Sequence, residues 1–516
     1  TTATSATRTD DQVTNPPNVL VIMADQMKAT ASHLYGNEFC HTPGLERLAA
    51  AGTLFTTAIT PQPLCVPARV AVWTSRWPHT TGARLNETPM PPGQDHAFRL
   101  WREAGFTTAL IGKDHCFADP EDRALFDVRC PIGHDGLPRD DAPTGMAWVR
   151  PITAIDEAHS VRRSMPRQGP ALSYAISDVD PAATSTGLVT DQTIAWLESL
   201  VRGDDARPFA AWVSYPDPHT PYEVPRAWAD TVPPASVVLP PDQAEDDATL
   251  PERNRVLRRI LDVSAESEDD LRQAVAVYHA QVRFVDDGVG RILDALERLG
   301  LREDTIVVFC SDHGDFAGEH CMTRKGGLFY DCLVRVPLIV AWPGHVPAGA
   351  VEASPVNLLD IVPTLLNLQG LEVPAAMMGQ PLATVTDAAR RVATFSEYGA
   401  GGQACTLADV NALPEPHGLA AAKATLSWRE AEGRRKMVRT TDWKYVTDPL
   451  GDLDELYDLK ADPFELTNLA AEPGHASRIA QLQRLLLDWA LTTEDHRPPP
   501  LPPAAPRLGT TTGSSS

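Results

Sequence analysis

Asn18-Val19-Leu20-Val21-Ile22-Met23-Ala24 runs directly into Asp25-Gln26. A short apolar run without alternation reads as a strand buried on both faces, the pattern of a parallel sheet covered by helices on either side. The run stops at a carboxylate and an amide. In such sheets ligands collect at the carboxyl ends of the strands, so Asp25 and Gln26 stand where chemistry is expected.

Working outward, the pattern repeats. Residues 107–111 (TTALI), 209–215 (FAAWVSY), 305–310 (TIVVFC) and 336–341 (VPLIVA) read as further strands. Residues 42–51, with Pro43 near the start, and 97–104, 190–201 and 357–368 read as helices between them. The clearest helix begins near Ser267, with Asp270 three residues on as in a capping box. Its apolar residues Leu271, Val275, Tyr278, Val282, Val285, Val289, Ile292 and Leu296 recur at steps of three and four. Strands alternating with helices predict an α/β fold with a mostly parallel central sheet and helices on both faces. From about residue 391 the pattern changes: 392–398 and 436–446 read as strands without long helices between them, before a helix carrying Ile479, Leu482, Leu486 and Trp489 on one side. This predicts a smaller C-terminal α+β domain. The expected division is a polar arm at 1–17, a main domain at 18–390, the α+β part at 391–495 and an extended or disordered tail at 496–516, Pro-rich and then Thr/Gly/Ser-rich. Residues 118–185 and 223–266 are rich in Pro and Asp and weakly periodic, and read as loops and insertions near the site.

At 516 residues the chain exceeds what one hydrophobic core usually spans. The formal net charge of −23 argues against a nucleic-acid partner and against anionic membranes. An anionic substrate would therefore need a local basic pocket within an acidic surface. No apolar run is long enough to cross a bilayer. The polar residues 1–17 contain no hydrophobic signal core, and the first residue is not Met, which allows for an upstream segment. Eight scattered cysteines without a CxxC pair fit a reduced compartment, giving a cytoplasmic expectation.

Chemistry-bearing residues follow the strands. Asp312 and His313, within Cys310-Ser311-Asp312-His313-Gly314-Asp315, end a second strand as Asp25 and Gln26 end the first. Two carboxylates, an amide oxygen and an imidazole can together bind a divalent cation: His313 favours Mn²⁺ or another transition ion, and the oxygen ligands leave Ca²⁺ open. Cys65, in Cys65-Val66-Pro67-Ala68-Arg69, has two readings. It is a nucleophile or modified residue at a helix N-terminus, where unpaired N–H groups favour negative charge, or a small buried hydrophobe. Lys113 and His115 follow TTALI, His219 follows FAAWVSY, and Lys325 sits in a glycine-containing loop after Asp312-His313. Arg69, Lys113, His115, His219 and Lys325 can form a cationic cradle for a tetrahedral oxyanion beside the metal.

Taken in order, these blocks resemble the type I, formylglycine-dependent sulfatase family within the alkaline-phosphatase-like superfamily. Cys65-x-Pro67-x-Arg69 is similar to the sequence that directs oxidation of the cysteine to Cα-formylglycine. Asp25-Gln26, Gly112-Lys113-x-His115, Pro218-His219-x-Pro221, Ser311-Asp312-His313-Gly314 and Lys325 resemble the family's other blocks. Leu456-Tyr457-Asp458-Leu459, Asp462-Pro463, Glu465 and Asn468-Leu469 resemble a frequent sulfatase ending, so the likeness spans roughly 18–470. Asp-Gln and Asp-His at the two metal positions resemble choline sulfatases and phosphonate monoester hydrolases, a subgroup that places a substrate-contacting asparagine where Asn86 stands. Ala68 replaces a common serine, Thr74-Ser75-Arg76 replaces the usual Thr-Gly-Arg, and Cys116-Phe117-Ala118 departs from the choline-sulfatase pattern.

The resemblance implies a three-layer alkaline-phosphatase-like domain, one divalent ion (Ca²⁺ or Mn²⁺) on Asp25, Gln26, Asp312, His313 and the residue derived from Cys65, and catalytic roles for Cys65, Arg69, Lys113, His115, His219 and Lys325. It implies hydrolysis of a sulfate monoester by a hydrated aldehyde at position 65. The departing alcohol would be protonated by His219 or Lys325, and sulfate would be released with His115 as base. The partners expected are a small-molecule ester, a formylglycine-generating enzyme and further copies of the chain. Alternative readings are a phosphonate monoester or phosphodiester hydrolase with the same site, a cysteine hydrolase acting on an acyl substrate, and a non-catalytic binding protein on the same scaffold.

Overall fold

Alternate residues of Asn18–Ala24 (β1) face opposite ways, and each set meets its own core. Leu20, Ile22 and Ala24 pack in one hydrophobic cluster; Val19, Val21 and Met23 pack in another. All six are fully buried, and burying a Val, Leu, Ile or Met side chain contributes about 1.5–3 kcal/mol. A computed structural model describes residues 16–133, 135–139, 143–165, 172–241, 249–412 and 430–494. The tail expected at 496–516 lies outside the described residues, as does the arm expected at 1–17 except for its last two positions.

The central sheet has eight strands: β1, Thr53–Phe55 (β2), Thr107–Gly112 (β3), Val128–Pro131 (β4), Phe209–Ser214 (β5), Thr305–Ser311 (β6), Leu338–Ala341 (β7) and Ala350–Glu352 (β8). Their spatial order is β8-β2-β7-β6-β1-β5-β3-β4. Every pairing is parallel except those of β7, which runs against both neighbours. One face is covered by the helices Pro43–Ala50 (α1), Ser185–Arg202 (α4) and Glu268–Arg298 (α6). The other is covered by Cys65–Thr74 (α2), Ala97–Glu103 (α3) and Ile361–Leu368 (α7). The three-layer α/β expectation holds. Ser267 caps α6, its side chain accepting from the Asp270 amide at 3.1 Å.

The C-terminal part forms a four-stranded antiparallel sheet from Thr394–Tyr398, Arg435–Arg439, Trp443–Thr447 and Glu455–Asp458. The helix Ala476–Thr493 (α8) packs on it through Leu482, Leu486 and Trp489. Two expectations needed correction. Residues 118–185 are not only loop, because β4 joins the main sheet as an edge strand parallel to β3. Residues 223–266 contain the helix Glu252–Leu261 (α5). β4 has only four residues, VRCP, too few to show a period. No helix among the described residues is long and apolar enough to cross a membrane.

Register sets the site. Ala24 pairs with Ser311, Met23 with Ser214, and Ser214 with Gly112. The residues just beyond these pairs, Asp25, Asp312 and Lys113, therefore leave the sheet side by side. Gly112 permits this: its φ is +107°, and a Cβ there would meet the Ser214 carbonyl at 2.0 Å.

Candidate active site

Asp25, Cys65, Asp312 and His313 each place a ligand atom within 4.8 Å of the others, and all four are buried. The first and last two come from the ends of β1 and β6; Cys65 is the first residue of α2. The Cys65 sulfur lies 3.1 Å from His313 Nε2 and 3.6 Å from Asp25 Oδ1. His313 Nδ1 meets the Gly314 carbonyl at 2.9 Å, which turns Nε2, with its lone pair, toward the cluster.

Gln26 has a left-handed backbone (φ 69°), a conformation that costs free energy and is kept where surroundings enforce it. Its amide N–H donates to Asp312 Oδ1 at 3.1 Å. Its side-chain NH₂ donates to Asp315, which also accepts from Tyr222 Oη at 2.7 Å and from the Ala317 N–H at 2.7 Å. Asp315 thereby leaves the Gln26 Oε1 facing Lys325 Nζ at 3.1 Å.

The cations sit as a ring. Arg69 is fully buried; it donates to Asp312 Oδ2 (2.8 Å), Asp25 Oδ2 (3.3 Å), the Lys113 carbonyl (2.9 Å) and Ser214 Oγ (2.8 Å). Its guanidinium also lies 5.4 Å from the centre of the Trp212 ring. Lys113 donates to Asp25 Oδ2. Lys325 Nζ lies 2.8 Å from the Cys65 sulfur and 3.1 Å from both His313 Nε2 and His219 Nε2. His219 sits between the cis bonds Asp217–Pro218 and Thr220–Pro221, its Nδ1 on the Thr220 carbonyl. His115 (φ 52°) and Asn86 line a cavity of about 330 Å³ that also reaches Val66 and Lys113. Asn86 Oδ1 accepts from the Val66 N–H at 3.2 Å, one of the unpaired donors of the α2 N-terminus, while Nδ2 donates to Glu430 at 2.9 Å. Every residue singled out in the sequence is thus at or beside one cluster.

The electrostatics are consistent with anion handling. Burial pushes the Cys65 thiol pKa up; Lys325 and Arg69 pull it down and Asp312 adds to the rise. Unmodified, the sulfur is therefore a protonated and weak nucleophile. Burial acts against the charge of Asp312, but His313, Arg69 and Lys113 hold its carboxyl below the usual range. His219 is half-buried, and burial, Lys325 and Lys113 hold its pKa well below the usual value. His115 is more open still. Packed protein lowers its pKa first, and Lys113, Arg69 and Lys325 lower it further; with the residue exposed, the cations are the firmer cause. Both rings are neutral near pH 7.

Sequence reasoning gave no role to several residues that hold the cluster. Ser214 was inside a strand run, and Asp315 closed the quoted SDHGD string without a task. Asp217 accepts from Arg162 (2.5 Å), Ser185 (2.8 Å) and Thr186 (2.6 Å), and Arg162 also donates to the His219 carbonyl at 3.1 Å. Arg162 comes from the aperiodic stretch, where only its charge marked it, and Glu430 carried no signal.

Comparison with known proteins finds relatives along most of the chain. A family model described as Sulfatase matches residues 17–371. A choline-sulfatase of Rhizobium meliloti (strain 1021) is 29% identical, the match covering 89% of this chain and 83% of the relative. An arylsulfatase of Clostridium perfringens (strain 13 / Type A) is 27% identical, covering 91% and 94%. Among solved structures, the phosphonate monoester hydrolase of Agrobacterium radiobacter superposes with a TM-score of 0.68 at 25% identity, covering 92% of this chain and 96% of its own. The matched region holds every residue from Asp25 to Lys325 that forms the cluster, and the chain belongs to the sulfatase family, whose members hydrolyse sulfuric esters.

Proposed function

We propose that the chain hydrolyses a sulfate monoester to an alcohol and inorganic sulfate, with Cys65 matured to Cα-formylglycine by a formylglycine-generating enzyme. One divalent ion, Ca²⁺ or Mn²⁺, is held by Asp25, Gln26, Asp312, His313 and the residue at 65. The observation that carries this reading is the meeting of Asp25, Cys65, Asp312 and His313 within 4.8 Å inside a ring of cations. The donor set fits such an ion: hard carboxylate oxygens and one imidazole nitrogen, with a positive group, Lys325 Nζ, already bracketed by Gln26, Cys65 and His313.

A bound divalent ion supplies Lewis-acid polarisation and lowers the pKa of an oxygen nucleophile. A hydrated formylglycine supplies that oxygen and a route for product release that a thiol lacks. The remaining tasks fall to the chain. Arg69, immobilised by four acceptors, fixes Asp25 and Asp312 and lends its charge to the ester oxygens. Lys113 stands beside Asp25 and neutralises developing charge. Lys325, hydrogen-bonded to His219, delivers a proton to the departing alcohol, with His219 as relay. Neutral His115 accepts a proton during sulfate release. Asn86, fixed by Val66 and Glu430, contacts the substrate from the cavity side. The chemistry is assigned to 18–390, with 391–495 as a separate α+β part.

Mass analysis of residue 65 alongside turnover tests this reading. Activity should track the converted fraction, and Cys65→Ala should abolish it. An active protein whose Cys65 remains a thiol contradicts the mechanism. The likeness to a phosphonate monoester hydrolase supports a second reading with the same groups acting on phosphonate monoesters or phosphodiesters. Parallel assays rank the two, and the first predicts the sulfate ester to be preferred.

A further inference from the structure

The cavity beside Cys65 has a mixed lining. Val66, Asn86, Lys113 and His115 line it next to the cluster; Arg123, Arg129 and Arg139 line it as well, together with Phe117 and Pro131. Asp114 is the one carboxylate among the described lining residues, and its oxygens are already engaged. Oδ1 accepts from the Cys116 and Phe117 amides at 3.1 and 2.9 Å, and Oδ2 pairs with Arg129 at 2.9 Å. Arg139 pairs with Asp135 at 3.0 Å while its side chain stays 53% exposed.

Arg123 differs. Its Nε donates to the Phe117 carbonyl at 2.8 Å, and among the described residues no carboxylate forms an ion pair with it. Neighbouring Asp122 is turned inward to Arg99 (2.7 Å) and His96 (3.2 Å). Asp140 and Asp141, next in sequence to Arg139, lie outside the described residues, so Arg123 is the anchor of the argument. In a chain of net charge −23, a guanidinium that no carboxylate among the described residues pairs, on the wall of a reaction cavity, is a local field of opposite sign.

We propose that the leaving group of the substrate is itself anionic. Beyond the ester sulfate it carries a second negative group, such as a carboxylate, that pairs with Arg123, while its apolar body rests on Phe117 and Pro131. A guanidinium fork matches a carboxylate bidentately. A quaternary ammonium alcohol meets repulsion from the same wall. This inference rests on the reading of the Cys65 cluster as an ester-hydrolysing site.

Two paired measurements test it. The first compares turnover of para-carboxyphenyl sulfate with that of its methyl ester, read as the change in their kcat/KM ratio on Arg123→Gln, so that leaving-group acidity cancels. The ratio should fall about tenfold, the size of a lost charge-assisted hydrogen bond. In the unmutated protein, added salt should lower the carboxylated substrate's kcat/KM more than the ester's. A ratio untouched by both Arg123→Gln and salt overturns the proposal. The second is calorimetry of para-hydroxybenzoate and its methyl ester on Cys65→Ala, where the carboxylate should bind more tightly; equal binding overturns the proposal. Selective carboxylate binding without turnover of either ester strikes the hydrolase reading and keeps the anion site. Turnover of both esters with an unchanged ratio strikes the anion site alone.

Discussion

The floor of the site and the wall of the cavity beside it are built differently. The floor, which adjoins the cavity rather than lining it, consists of Asp25, Cys65, Arg69, Asp312 and His313, none more than 1% exposed, each issuing from a strand end or from α2. The wall consists of side chains such as Arg123 and Arg139 on the segment between β3 and α4, much of it irregular and open to solvent. Floor residues are positioned by sheet register and by one another, so moving one disturbs several. Wall residues are positioned by local turns and can change singly. Reaction type is therefore tied to the core, and choice of leaving group is not.

The largest effect should come from stripping the floor of its cation. Dialysis against a chelator is expected to reduce turnover to background, with Ca²⁺ or Mn²⁺ restoring it; a fully active chelated protein would break the comparison at its root. Asp312→Asn comes next, since it removes a buried charge that also holds Arg69. A loss in kcat of about 10²–10³-fold is expected, the scale of deleting one preorganised electrostatic group. Asp315→Asn should be milder. It touches no reacting atom but sets the orientation of the Gln26 amide, so the metal concentration for half-maximal activity should rise about 10–100-fold, more than kcat falls. An unchanged metal requirement would remove Asp315 from the positioning role. The wall, probed at Arg123, should yield only the substrate-dependent ratio change, sharpening the contrast with the floor.

The smallest effect concerns stability away from both. His279 is buried in α6, with Nδ1 on the Val275 carbonyl at 2.8 Å and Nε2 3.2 Å from the Asn37 amide, which donates to it. Burial, helped by Lys28, holds its pKa down to about 3. Between that value and an unfolded value of about 6.5, the unfolded chain binds a proton that the folded one refuses. Folding stability should therefore fall on acidification through this window, by up to about 1.4 kcal/mol per pH unit from this group. The folded form of His279→Gln should show a shallower decline in Tm between pH 6 and 4 than the unmutated protein; an identical slope would acquit His279 of the acid lability.

How much of this was legible in the sequence follows the same division. β1, β3, β5 and β6 were readable because continuous apolar runs mark strands buried on both faces, and the polar residue ending each run marks the site. Thus Asp25, Lys113, His219 and Asp312 stood out as candidates by their shared placement at or after those runs, and their order resembled a known family. β4 was missed because four residues at a sheet edge show no period. Arg162 was missed because its role depends on Asp217, distant in sequence and buried only in the fold. The pairing of Glu430 with Asn86 joins the C-terminal part to the start of α2 across more than three hundred positions, which local patterning does not encode.

The central claim is that one divalent ion sits among Asp25, Asp312, His313 and the side chain at position 65. Diffraction from manganese-loaded crystals, measured on either side of the manganese absorption edge, tests it most directly. The account predicts one anomalous peak per chain within bonding distance of those four residues. A peak elsewhere, or none there in a protein that still turns over its ester, would contradict it.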